Sequence, residues 1–154
     1  MPLLYGELTK EIVGCFYQVH RELGTGFPES VYSRAMEIAM TEAGLVVQRE
    51  VPLSVDCRGR SVGAFRADTV VNSRVILEYK TAVRAVEVAE GQLLNYLRCT
   101  DKEVGLLLKF FEKPAFERCF LSNDQKQFRR GPFIPPLSVS QTPAERATSP
   151  DAAG

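Results

Sequence analysis

The hydrophobic pattern of this chain changes its period near residue 45, and that change restricts the fold class. Over residues 8–43, apolar side chains recur every three to four positions, which is typical of amphipathic helices. Glycines near residue 25 divide this stretch, so we predict helices over 9–23 and 29–43. From residue 45 onward, β-branched and alternating residues predict strands over 45–57, 62–71 and 75–80.

Three further elements complete the predicted fold. Residues 86–99 have helical spacing, residues 103–110 form a near-continuous apolar run typical of a buried strand, and residues 115–121 suit an edge strand. The order is helix, helix, three strands, helix and two strands (ααβββαββ). This order predicts an α/β fold, with a central mixed β-sheet flanked by helices.

The C-terminal segment has a different composition from the rest of the chain. Five of the nine prolines lie after residue 130. Such a segment, rich in proline, serine and threonine, cannot bury enough apolar surface to offset the entropy of ordering. We therefore predict one folded domain over residues 1–128 and a disordered tail over residues 129–154.

Composition and charge exclude several classes of protein. The chain is 45% hydrophobic and 25% charged, which excludes collagen, coiled coils and wholesale disorder. No signal peptide and no apolar run of about 18 residues appears, so we expect a soluble protein without a membrane partner. Four cysteines without a C-x-x-C pair predict buried, reduced thiols and a cytoplasmic location.

Charged residues interrupt the predicted strands at Asp68, Glu78 and Lys80. Glu78 and Lys80 are two residues apart, so they share one face of their strand. If the loop before this strand comprises residues 72–74, Asp68 lies opposite Glu78 on that same face. If the loop has only two residues, Asp68 pairs with Leu77 and faces away.

The first register would place two carboxylates and an ammonium group together. Adjacent carboxylates repel each other unless a cation lies between them, and their oxygens suit Mg²⁺ or Mn²⁺. A lysine beside such a metal suits metal-assisted phosphodiester hydrolysis. The alternative is a solvated sheet face with a Glu–Lys cross-strand pair, and the spacing of the three residues alone favours this alternative.

Two further motifs accompany these residues. Gly26 to Tyr32 reads G-x-x-E-x-x-Y with Glu29 at its centre, and Gln92 to Tyr96 reads Q-x-x-x-Y. With Asp68 and the Glu78-Tyr79-Lys80 triplet, they resemble the GxxExxY protein family of the PD-(D/E)xK nuclease superfamily over roughly residues 5–121. The Q-x-x-x-Y element is also similar to that of RecB-type exonuclease domains.

The resemblance implies a restriction-endonuclease-like PD-(D/E)xK core and a nuclease that depends on Mg²⁺ or Mn²⁺. It implies that Asp68 and Glu78 ligate the metal. Lys80 would orient the attacking water or stabilise the scissile phosphate. The triplet departs from the commoner Glu-Leu-Lys only at its middle position, Tyr79, which alternation places in the core.

The resemblance also assigns roles to four residues on the helices. Glu29 would be a further metal or water ligand. Gln92 and Tyr96 would line the site from the third predicted helix and contact Lys80 or the nucleic-acid backbone. His20 would be a further metal ligand, although packing or capping is the alternative for a histidine on an amphipathic helix.

The expected partner is nucleic acid, DNA rather than RNA. Lys and Arg total 19, as do Asp and Glu, but residues 44–84 hold seven basic and four acidic residues. The strand region is therefore the side expected to face phosphates, although arginines on hairpin turns are also ordinary solubilising residues. The alternative function is a catalytically silent module that binds nucleic acid or protein. A homodimer through the apolar segments 106–111 and 116–121 is possible with either function.

Overall fold

The computed structural model describes residues 5–126. Its elements follow the predicted order: α1 (Gly6–Leu23), α2 (Glu29–Glu42), β1 (Val47–Cys57), β2 (Arg60–Val71), β3 (Val75–Lys80), α3 (Val86–Cys99), β4 (Val104–Lys109) and β5 (Ala115–Phe120). Short 3-10 turns lie at Val83–Ala85 and Asn123–Gln125. The predicted domain end at residue 128 and the predicted tail lie outside the described residues.

The five strands form one mixed sheet in the order β1-β2-β3-β4-β5. Only β3 and β4 are parallel, and the other neighbours are antiparallel. A parallel pair requires a crossover, and α3 supplies it between β3 and β4. The prediction of an α/β fold with a mixed sheet between helices is confirmed.

Helices cover both faces of the sheet. Helices α1 and α2 pack through Phe16 and Met36 against Leu77 and other residues of one face. Helix α3 packs through Leu93 against the opposite face, which includes Ile76. Because β3 and β4 are buried on both faces, their sequences read as continuous apolar runs.

The position of β4 corrects one prediction. β4 pairs with β3 on one side and with β5 on the other, and Leu106 and Phe110 are buried. An interior strand has no free edge or face, so the predicted dimer surface through residues 106–111 is wrong. Phe116 and Phe120 on the edge strand β5 are exposed, and dimerisation there stays a prediction.

Helix α3 lies unusually close to the sheet at Gly105. A Cβ atom added to Gly105 would lie 2.7 Å from Leu93 Cδ1, well inside van der Waals contact. The absence of a side chain at Gly105 therefore sets the distance between α3 and β4. Since α3 carries Gln92 and Tyr96, this contact also positions two of the predicted site residues.

The far end of the β1–β2 hairpin extends beyond the helices. Residues 56–66, which we call the hairpin arm, are all exposed. Alternation predicted a strand with two distinct faces over residues 62–71, but burial begins only at Ala67 and is nearly continuous from there to Val71. The arm is exposed on both faces because no helix among the described residues covers it.

The cysteines fit the prediction only in part. All four are free, but only Cys15 is buried, whereas Cys57 is exposed on the hairpin arm. Within residues 5–126, none of the helices has the length and apolar character needed to cross a bilayer.

Candidate active site

The loop between β2 and β3 settles the register that the sequence left open. Val71 pairs with Val75, so the loop comprises residues 72–74 and has three residues. This is the register that brings Asp68 and Glu78 together, and the two-residue alternative is wrong.

A side chain of β2 ends the pairing of β2 with β3. The last pair in the ladder is Thr69 with Leu77. At the next step, the main-chain N–H of Tyr79 donates to Asp68 Oδ2 over 3.0 Å. The Asp68 carboxylate thus takes the place of a main-chain acceptor, and this bond fixes the carboxylate at the end of β3.

Glu78 lies in a nearly dry environment. Glu78 is only 3% exposed, and its Oε1 atom has no hydrogen-bond partner within residues 5–126. Burial, with the negative charge of Asp68 adding to it, raises the pKa of Glu78 to about 8. Burial also raises the pKa of Asp68. When both carboxylates are ionised they repel each other, unless a cation lies between them.

Lys80 and Glu29 meet beside this pair. Lys80 Nζ lies 3.7 Å from Glu29 Oε1, and Glu29 is the first residue of α2. The Lys80 carbonyl accepts a hydrogen bond of 2.9 Å from the main chain of Phe110, which anchors the end of β3. The positive charge of Lys80 acts against the rise in the pKa of both Asp68 and Glu78. The structure therefore brings together four of the predicted site residues: Glu29, Asp68, Glu78 and Lys80.

Tyr32 holds the loop that carries Glu29. Its hydroxyl donates to the Gly24 carbonyl over 2.6 Å and accepts from the Phe27 N–H over 3.4 Å. Its ring stacks on Phe110 with centroids 4.1 Å apart. The sequence interpretation named Glu29 but assigned Tyr32 no role beyond the motif, and the motif tyrosine was the signal that could have indicated this anchor.

Tyr96 lies at the root of the hairpin arm. It is 5% exposed, and its hydroxyl donates to the Arg66 carbonyl over 3.3 Å. Burial, followed by the negative charges of Glu78 and Asp68, raises the pKa of the Tyr96 hydroxyl to about 12. The hydroxyl therefore interacts electrostatically with both carboxylates. Gln92 lies one turn earlier on α3 and is partly buried.

His20 contacts a different segment. Its Nε2 lies 2.7 Å from the Phe111 carbonyl oxygen, and its ring stacks on Phe110 at 6.4 Å between centroids. This geometry fits the packing alternative. Ligation of a metal by His20 stays a prediction.

The Asp68–Glu78 pair suits a hard divalent cation. Within residues 5–126, no three His, Cys, Asp or Glu side chains form a ready-made metal cluster. Mg²⁺ does not need one, since it keeps several waters and binds through one or two carboxylates together with substrate phosphates. The unpaired Oε1 of Glu78 is an acceptor that such an ion would satisfy. The donor set therefore fits Mg²⁺ or Mn²⁺.

Comparison with known proteins identifies the superfamily of this chain. One solved structure, described as the crystal structure of SSO0001, is 17% identical with a TM-score of 0.45, and the match covers 82% of this chain and 64% of that one. The chain thus spans less than two thirds of that protein. Among curated proteins, none matches. The sequence model of the PD-(D/E)XK nuclease superfamily matches residues 6–119. This protein therefore belongs to the PD-(D/E)XK nuclease superfamily.

Proposed function

We propose that this protein is a nuclease that hydrolyses phosphodiester bonds of DNA and depends on Mg²⁺ or Mn²⁺. The observation that carries the proposal is the Asp68–Glu78 pair beside Lys80, in which Glu78 is buried and its Oε1 has no hydrogen-bond partner within residues 5–126. The G-x-x-E-x-x-Y and Q-x-x-x-Y motifs support a finer assignment to the GxxExxY family, with a RecB-like element on α3.

In this proposal, Asp68 and Glu78 hold the cation. A divalent ion bound there would neutralise charge on the phosphate and lower the pKa of water. The Tyr79 N–H keeps the Asp68 carboxylate oriented through its bond to Oδ2. Burial of Glu78 excludes bulk water from its carboxylate, which strengthens its electrostatic contact with a cation.

Lys80 acts on the phosphate in this proposal. Its ammonium group has three N–H donors and would stabilise a phosphate oxygen as negative charge develops, or orient the attacking water. Glu29, 3.7 Å away, restrains the long Lys80 side chain near the carboxylates. Tyr96 and Gln92 would line the substrate side of the site.

Glu29 and His20 are the proposed additional ligands. Glu29 has a second carboxylate oxygen for water or metal beside the one that faces Lys80. His20 would have to use Nδ1, because Nε2 lies against the Phe111 carbonyl. Either residue would bring the protein ligands of the Asp68–Glu78 pair to three.

A second candidate function is a silent module that keeps the fold and binds nucleic acid or protein. What favours it is the balanced charge of the chain, which has 19 basic and 19 acidic residues. The intact pair weighs against it, because a pure binding module has no need for two repelling carboxylates in a buried position.

Cleavage of DNA by the full chain tests the proposal. Supercoiled plasmid and single-stranded DNA are incubated with wild-type protein and Mn²⁺, Mg²⁺ or EDTA. We expect cleavage with metal, none with EDTA, and loss of cleavage in Lys80→Ala. Lys102→Ala is the matched control, since Lys102 pairs with Asp101 away from the site. Equal cleavage by wild type and Lys80→Ala would refute the assigned site, and binding of DNA without any cleavage would favour the silent module.

A further inference from the structure

We propose that the hairpin arm, residues 56–66, docks a DNA duplex on one side of the scissile bond and so makes cleavage favour long duplexes. This inference rests on the proposed function. It adds a second contact region, separate from the carboxylates, and a length requirement for the substrate.

The arm is a paired ribbon, and none of its residues belongs to the two buried apolar clusters on the faces of the sheet. Pairing between β1 and β2 continues to Cys57 and Arg60, so the main chain is hydrogen bonded almost to the tip. Arg58 and Gly59 both have positive φ (54° and 78°), as in the tight turns that join two-stranded ribbons. A ribbon of this kind is one of the two shapes that the major groove of B-DNA admits.

The charges of the arm suit phosphate. The arm carries Arg58, Arg60 and Arg66 against one acid, Asp56. None of the three arginines forms an ion pair within residues 5–126, whereas Asp56 accepts a 2.7 Å hydrogen bond from Ser54. By contrast, Arg49 near the start of β1 lies 3.8 Å from Glu37. The guanidinium groups of the arm are therefore available for phosphate, which they match in geometry.

Apolar side chains accompany these arginines. Val62 is 65% exposed and Phe65 is 42% exposed. Val62 lies on the same face of β2 as Arg60 and Arg66, so an apolar group accompanies the guanidinium groups there, whereas Phe65 lies on the opposite face. In a DNA groove, such groups contact thymine methyls and sugars, while arginines contact the phosphates on either side.

The base of the hairpin arm lines the candidate active site. Arg66 lies two residues before Asp68, and its carbonyl accepts the Tyr96 hydroxyl. The Phe65 ring lies 5.7 Å from the Tyr96 ring. A duplex that lies along the arm would therefore enter the site at the Asp68–Glu78 pair.

The length of β2 sets the reach of the arm. Arg60 lies eight residues before Asp68. At roughly 3.3 Å per residue, that separation is up to about 26 Å along the strand. Since duplex DNA rises about 3.4 Å per base pair, the tip would contact phosphates up to about 8 base pairs from the cleaved bond.

Binding of labelled duplexes by the full chain tests the inference. Fluorescence anisotropy in EDTA compares duplexes of 8 and 24 base pairs and a single-stranded 24-mer, over a range of salt concentrations. The variant is Arg58→Gln with Arg60→Gln. The control is Arg21→Gln with Arg34→Gln, which removes the same charge from exposed positions on α1 and α2. Melting curves establish that both variants fold.

We expect the arm variant to lose affinity for the long duplex, and its slope of log K against log salt to fall by about 1.8, for two phosphate contacts. We expect the control variant to change little. The 8-base-pair duplex should lose less affinity than the long duplex, because it cannot cover the arm and both sides of the scissile bond together. An unchanged long-duplex affinity in the arm variant, or an equal loss for the single strand, would overturn the arm's role. Metal-dependent cleavage by the wild type is measured in parallel. If the wild type cleaves DNA but the arm variant binds the long duplex normally, only this inference fails. If the wild type does not cleave DNA, the proposed nuclease function fails.

Discussion

The main-chain N–H of Tyr79 donates to Asp68 Oδ2 over 3.0 Å, so a carboxylate side chain completes the hydrogen bonding of β3 where its pairing with β2 ends. One side chain thus serves both the sheet and the candidate site. The charge of Asp68 and its hydrogen-bond acceptor can therefore be separated by mutation.

Asp68→Asn and Asp68→Ala should differ in stability but not in activity. Asparagine keeps an oxygen that accepts from Tyr79, whereas alanine leaves that N–H without its acceptor. We expect Asp68→Ala to lower the free energy of unfolding by about 1–3 kcal/mol and Asp68→Asn to lower it by less. Both should abolish metal-dependent cleavage. Urea melts measure the stability and plasmid cleavage measures the activity. Cleavage by Asp68→Asn would contradict the assignment of Asp68 as a metal ligand.

The stability of the metal-free protein should fall as the pH rises from about 5 to 8. The pKa of Glu78 is near 4.5 in the unfolded chain and about 8 in the folded protein. Between these values the folded state keeps a proton that the unfolded state has lost, so stability is greatest below the lower value and declines through the higher one. The raised pKa of Asp68 acts in the same direction.

Glu78→Gln should flatten that pH dependence, because glutamine has no proton to lose. Urea melts in EDTA at pH 5, 6, 7 and 8 measure it, with Glu42→Gln, an exposed position on α2, as the control. A wild-type stability that rises over this range would contradict the assigned environment of Glu78.

Tyr32→Phe should reduce activity more than stability. The change removes the hydroxyl that joins the Gly24 carbonyl to the Phe27 N–H but keeps the ring on Phe110. We expect a loss of about 0.5–1.5 kcal/mol in stability and slower cleavage, because the loop before Glu29 loosens. Tyr17→Phe is the control, since its ring contacts lie on α1 and β5. Unchanged cleavage by Tyr32→Phe would contradict the claim that the loop before Glu29 positions the candidate active site.

Gly105→Ala should displace α3. The added methyl group would meet Leu93 at 2.7 Å, and overpacking of this kind costs about 1–3 kcal/mol. Because α3 carries Tyr96, cleavage should fall as well. Gly91→Ala is the control, since space is open there. In the interior of α3 that change should raise stability by about 1 kcal/mol. Equal thermal melting points of the two variants would contradict the close approach.

The sequence predicted the order of elements because each element has a clear period. It left the β2–β3 register open, since Asn72-Ser73-Arg74 suits loops of two or three residues equally. The structure resolves it through the Val71–Val75 pair. The contact of Glu29 with Lys80 joins residues 51 positions apart, and the family resemblance had assigned both to the site without predicting this contact.

Other features depend on tertiary packing that local patterns do not encode. Val62 and Phe65 read as part of a half-buried strand, but whether a helix covers β2 depends on where α3 lies. The contact of His20 with the Phe111 carbonyl joins residues 91 positions apart. Neither the exposure of Val62 and Phe65 nor the contact of His20 can be predicted from the spacing of nearby residues.

Binding of Mn²⁺ by isothermal titration calorimetry, followed by plasmid cleavage with the same samples, tests the central claim most directly. The account predicts saturable Mn²⁺ binding and cleavage by the wild type and by Glu42→Gln, with both lost in Glu78→Gln. Mn²⁺ binding and cleavage that persist in Glu78→Gln would contradict the claim that the Asp68–Glu78 pair is the metal site of a nuclease.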